Sequence, residues 1–166
     1  PVFVIPTHVE ACGEGARAVV DSNWEGVISA QRTVTPLEDA LHDRTEVVCD
    51  AERTIDWLFH AEGDVTFSAN PGEAAELGDY PGYEYLTDVH AISCDTLKVS
   101  FTLNGRTLTL DADTKGMQVF AAKSPGNPAN VLRTAIILRV CADRAVFDIL
   151  PVPPHRRFCG SSGLAQ

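Results

Sequence analysis

Asn104-Gly105 stands between two runs that alternate apolar and polar residues, Leu97 to Leu103 and Thr107 to Ala112. Both central positions of a type I′ turn need positive φ, which Asn and Gly tolerate best, so the dipeptide predicts a tight antiparallel hairpin. The period-two pattern extends beyond it. Val65 to Ala69, Tyr85 to Cys94, Met117 to Ala122 and Arg133 to Cys141 read as further strands, and Ala145 to Val152 closes another hairpin through Ala142-Asp143-Arg144. Between the first two of these, Pro71 to Tyr83 is rich in Gly, Pro and acidic residues and reads as a long surface loop.

The first third carries a different pattern. Val2 to Ile5 is a short apolar strand candidate, and Val27 to Val34 has β-branched strand character. His8 to Asp21 reads as a weak helix, in which Gly13 and Gly15 each cost about 1 kcal/mol. At Thr35-Pro36 the threonine suits a helix cap and the proline a first helical position. From Leu37 onward, Leu41, Val48, Ala51, Ile55 and Leu58 recur with a 3.6-residue period up to Gly63, which predicts a long helix, continuous or broken near Glu46. A helix followed by strands gives the expected class: α+β, with that helix packed on a largely antiparallel sheet of about five to seven strands. Residues 1–152 are expected to form one domain, since 166 residues with 45% hydrophobic content suit a single core. Residues 153–166, with Pro153-Pro154 and Gly160-Ser161-Ser162-Gly163, read as an extended, mobile tail.

Charge narrows the partners. A formal net charge of -10 opposes attraction to phosphate backbones and anionic lipid, so neither nucleic acid nor membrane is expected. No apolar run approaches the roughly 20 residues of a spanning helix. With no signal-peptide pattern at Pro1, the expected location is the cytoplasm or an assembled particle. The five cysteines are odd in number and form no C-x-x-C pair, which predicts free thiols; no metal site or cofactor is expected.

Cys49, His90 and Asp111 are the candidate catalytic residues. A thiol nucleophile needs a base to make thiolate, and that base needs a third group to hold its tautomer. On a continuous helix from Leu37, Cys49 lies beside Thr45, Glu52 and Asp56, off the apolar stripe; on a helix starting at Cys49, the macrodipole would lower its pKa. Thr35 to Leu41 followed by Val47-Val48-Cys49-Asp50-Ala51 resembles the nucleophile segment of bacterial transglutaminase-like (papain-like) cysteine hydrolases. Val89-His90-Ala91-Ile92 resembles that family's histidine strand, and Asn104 to Thr114 its hairpin ending in aspartate. The match covers about residues 35–114 and keeps the order Cys, His, Asp. It departs from the family at Glu52 and Arg53, and in lacking an aromatic residue soon after His90. The resemblance implies a cysteine-dependent hydrolase or acyltransferase in which Cys49 attacks a carbonyl, His90 moves protons and Asp111 orients the imidazole.

Two other fragments are weaker. His8-Val9-Glu10 supplies only the H-x-E half of a zinc deaminase signature, without the P-C-x-x-C half, and reads as an exposed helix start. Pro1 to Ile5 resembles the opening strand of the tautomerase superfamily, and the likeness ends there. The alternative to catalysis is a structural or interaction protein, such as a subunit of a larger viral or phage assembly. In that reading Tyr80, Tyr83 and Tyr85 form an interaction surface for a protein or peptide partner, and the chain forms a homo-oligomer.

Overall fold

The computed structural model describes residues 8–13, 15–21, 25–37 and 40–152. These residues include ten antiparallel strands: β1 (His8–Cys12), β2 (Gly15–Asp21), β3 (Val27–Leu37), β4 (Ala40–Ala61), β5 (Asp64–Phe67), β6 (Thr87–Ile92), β7 (Thr96–Leu103), β8 (Arg106–Asp113), β9 (Gln118–Pro125) and β10 (Leu132–Val152). The only helical element among them is one 3-10 turn, Tyr83–Tyr85. The expected α+β class is therefore corrected to all-β, and the expected five to seven strands to ten. Val2 to Ile5 and the 153–166 tail lie outside the described residues.

The expected helix is the 22-residue strand β4. Its buried positions are odd-numbered: Cys49, Ile55 and Trp57, with Val47, Phe59 and Ala61 packed against the same core. Its opposite side is also apolar in places, because Leu58 packs into a second cluster on the far face. A strand with apolar residues on both faces loses strict alternation, and a subset such as Leu41, Val48, Ile55 and Leu58 then mimics a helical stripe. His8 to Asp21 is likewise not helical; it is the β1–β2 hairpin, with Gly13 at φ 61 between the strands.

β4 and β10 form one long antiparallel ribbon that bends back on itself. The register runs from Thr134↔Ala61 to Ala142↔Arg53, then jumps to Arg144↔Val48 and continues to Ile149↔Asp43. Cys49 to Glu52 thus face Asp143 alone, at a corner of the kind by which strands change layer. Beyond the corner the ribbon's halves pack face to face: Trp57 and Phe59 share a cavity of about 170 Å³ with Asp43 and Ile149. The irregularity also changes the parity of β10, whose core residues are Ile136 and Leu138 before it but Ala145, Phe147 and Ile149 after it. Ala142-Asp143-Arg144, expected as a hairpin turn, is instead this corner within a single strand.

Each half of the ribbon seeds one layer of a sandwich. The upper layer has the order β6-β9-β10-β4, using Leu132–Arg139 of β10 against β9. The lower layer has the order β5-β7-β8-β10-β4-β3-β2-β1, using the other ends of β10 and β4. Between them lies the main core, where Phe59 of the upper layer meets Phe101 of the lower at 5.5 Å between ring centroids. Asn104 (φ 51) and Gly105 (φ 73) make the expected tight turn between β7 and β8, with Leu103 opposite Arg106.

The segment from Ser68 to Leu86 covers the upper layer twice. Its backbone pairs along the free side of β6 through Gly72 N–H to Ala91 O (2.7 Å) and Ala75 N–H to Val89 O (3.0 Å). It then lies across the outer face, where Leu77 is buried against Phe120, Ala122, Ala135 and Ile137. Arg139 pins it there. The Arg139 guanidinium donates to both carboxylate oxygens of Asp56 (2.8 and 2.7 Å) and to the Leu77 carbonyl (2.9 Å), and it sits over the Tyr83 and Phe120 rings.

Candidate interaction surface

The fold does not bring Cys49, His90 and Asp111 together. Cys49 lies at the corner of β4 with 6% of its surface exposed, enclosed by the main core. His90, on β6, spends both ring nitrogens elsewhere: Nδ1 on the Gly72 carbonyl and Nε2 on Asp88, each at 3.0 Å. Both partners accept, so both ring nitrogens donate only in the protonated imidazole. First the Gly72 carbonyl and then Asp88 accordingly raise the His90 pKa. Asp111 is the β8 residue between core-facing Leu110 and Ala112, so it lies on the outer face, where it pairs with Lys98 at 3.1 Å. None of the three bonds another.

The tyrosines divide into two kinds. Tyr83 packs into the cluster beneath the loop, under Arg139, whereas Tyr80 and Tyr85 are exposed. Tyr80 meets Tyr83 edge-on and reaches Thr54 Oγ1 at 3.5 Å. His8 and Glu10 sit on β1, where Glu10 accepts from Arg17 directly opposite on β2. Arg17, and after it His8, hold the Glu10 carboxyl below its ordinary pKa. Among the described residues no group of three or more His, Cys, Asp or Glu could hold a metal ion. Among them, too, no helix is long and apolar enough to cross a membrane.

A feature that sequence reasoning missed lies at the other side of the sandwich. The lower layer continues past β4 through β3, β2 and β1, whereas the upper layer ends at β4 among the described residues. At about 4.8 Å per strand these three strands form an overhang that spans about 14 Å, of which the part at Arg32 and Val34 of β3 lies beneath Trp57 of the upper layer. Its two faces follow from the register. Val34, Arg32 and Ala30 oppose Asp43, Thr45 and Val47 of β4, and on the other side Val34 and Arg32 oppose Ala16 and Ala18 of β2. Ala16 and Ala18 oppose Ala11 and Val9 of β1. Since Arg32, Val34 and Asp43 line the cavity beneath Trp57, this whole set faces the core side.

The core-side face of the overhang is therefore built of small apolar residues, interrupted by Arg32, which is bonded to Asp43. The opposite face is polar. There Glu10 pairs with Arg17, and the polar surface continues onto β4 and β10, where Arg44 pairs with Glu46 (2.7 Å) and Asp148 (2.8 Å). Among the described side chains of β1, β2 and β3, none is fully buried, and Val9 is 62% exposed. The signal was present in the sequence as Val9-Glu10-Ala11, Ala16-Arg17-Ala18 and Ala30-Gln31-Arg32-Thr33-Val34, alternations too short and too rich in alanine to stand out singly.

A third element borders this face. Beyond the corner, Thr54 to Ala61 of β4 pair with β10 on one side only, so their other backbone edge has no strand beside it among the described residues. Overhang and edge together form a ledge: an apolar floor meeting a wall of hydrogen-bonding backbone. No family model matches the chain, and no curated protein is significantly similar to it.

Proposed function

We propose that the chain is a non-catalytic structural subunit that self-associates into a larger particle through the overhang of β1, β2 and β3. The observation that carries this reading is the amphipathic overhang itself. A sheet with one polar and one apolar face normally buries the apolar one, and here, among the described residues, the upper layer reaches Arg32 and Val34 at the inner margin of the overhang while no side chain of β1 or β2 is fully buried. Contiguous exposed apolar surface on a folded chain marks an interaction site. Tyr80 and Tyr85 add exposed aromatic surface, and Tyr80 reaches Thr54 of β4.

The bonding around His90 gives no support to the alternative of a cysteine hydrolase, since a base must have a ring nitrogen free to receive a proton. The test is light scattering of the purified chain over a range of concentrations. A mass that rises with concentration, unchanged in a Cys49→Ala variant, is the expected result. A strict monomer would remove the reading.

A further inference from the structure

A recess of about 300 Å³ lies at the other margin of the sandwich, between the layers where β4 passes through Gly63 into β5. Its floor is β5 of the lower layer, whose Val65 and Phe67 pack toward the main core. Its roof belongs to the upper layer: His90 of β6 opposite Ala121 of β9, and Lys123 of β9 opposite Thr134 of β10. Ala121 and Ile136, two residues from Lys123 and Thr134 on the same strands, face the main core, so Lys123 and Thr134 also point between the layers. We propose that this recess binds a small monocarboxylate, with the carboxylate held by Lys123 and Thr134 and a short apolar body resting on Val65, Phe67 and Ala121.

The placement of Lys123 carries the proposal. Lysine is seldom turned toward a core without a carboxylate to meet it, because a desolvated charge must be paired. Lys123 is half-buried, yet its one side-chain hydrogen bond among the described residues runs from Nζ to Thr134 Oγ1 at 3.2 Å. Thr134 is only 6% exposed; it accepts from the lysine, and its own hydroxyl proton is left to donate. An ammonium with donors to spare and a buried hydroxyl therefore converge at one place, the arrangement a carboxylate requires. The acidic groups at the recess are otherwise engaged. Asp88 accepts from the protonated His90 ring, and that pair is neutral overall. Asp64 alternates with Val65 and Phe67 along β5, so its side chain lies on the outer face. One positive charge is left for one negative charge, and the apolar floor suits an alkyl body better than the oxygens of a phosphate.

The experiment is calorimetric titration of the intact chain with butyrate, with butyramide as its uncharged counterpart and inorganic phosphate as a second anion. The expected result is saturable binding of butyrate, weaker by at least about tenfold for butyramide and for phosphate. Lys123→Met keeps much of the side chain's length and removes its charge, and is expected to lower butyrate affinity by at least about tenfold. Lys98→Met, on the outer face where Lys98 pairs with Asp111, is expected to leave it unchanged. Circular dichroism confirms that each variant folds; should Lys123→Met not fold, the comparison of butyrate with butyramide on the intact chain still decides. Equal binding of the two, or no binding of either, overturns the site and shows that the Lys123 ammonium only reaches past the apolar wall to water. A butyrate affinity indifferent to Lys123→Met, or phosphate bound as tightly as butyrate, overturns it equally.

Discussion

At the scale of single residues, the environments of Cys49 and His90 decide how they behave in solution. Thiolate reactivity requires access as well as a favourable pKa, and Cys49 is closed off by the core whereas Cys94 is half-buried and Cys141 exposed. Cys141 donates to Glu52, first among the influences that raise its pKa, so it is also slowed, yet it remains open to reagent. In the folded chain, iodoacetamide is expected to label Cys49 more slowly than Cys94 or Cys141, a ranking that mass spectrometry of timed aliquots reads directly. A fastest Cys49 would contradict the burial described above. Two histidines offer an opposed pair. The Gly72 carbonyl and Asp88 push His90 above its ordinary value of about 6.5, whereas burial, then the charge of Arg133, hold His60 below it. Stabilisation from His90 is complete at acid pH and lost as pH rises through its folded value; that from His60 is present above the ordinary value and lost as pH falls through its folded value. Proton NMR titration is expected to separate the two midpoints on either side of the free imidazole. Asn104 and Gly105 were legible from residue identity alone, because their turn depends on two φ angles and on little else.

Elements were legible where they answer to one face only. β7, with buried Leu97, Val99 and Phe101 alternating with more exposed residues, shows its period plainly. β4 does not, because the loop over the upper layer gives Leu58 a second apolar surface to meet, and a local pattern cannot announce a cover that comes from more than ten residues away. The corner at Asp143 was read as a turn for a related reason: a bulge and a tight turn draw on the same residue types, and only the partner strand distinguishes them. The loop is itself held by a charge, and that can be tested. Arg139 and Asp56 have side chains 12% and 8% exposed, so Arg139→Ala leaves a buried carboxylate unpaired, frees the Leu77 carbonyl and removes the cation over Tyr83. The expected cost is about 3 kcal/mol in urea denaturation. Cleavage by a protease between Pro71 and Tyr85 should accelerate in the same variant, since the loop loses its anchor; an unaltered cleavage rate would show that Leu77 alone holds it.

For the molecule as a whole, the candidate site was illegible because it belongs to no single motif. It arises from the difference in width between two layers, and that difference depends on which strands pair across separations of about a hundred residues, as β4 and β10 do. The catalytic expectation failed to assemble for the converse reason: three residues in the right order along the chain were distributed by the topology to a corner, a capped edge strand and an outer face. The bent ribbon has a mechanical meaning too. Since β4 and β10 each serve both layers, neither layer owns a complete set of strands, and peeling one away must tear the other. Heat or denaturant is therefore expected to melt the described sandwich in one step, with circular dichroism and tryptophan fluorescence following coincident curves. A molecule stitched through its own middle in this way has no half that can survive alone, so a cut at the Asp143 corner would undo both sheets at once.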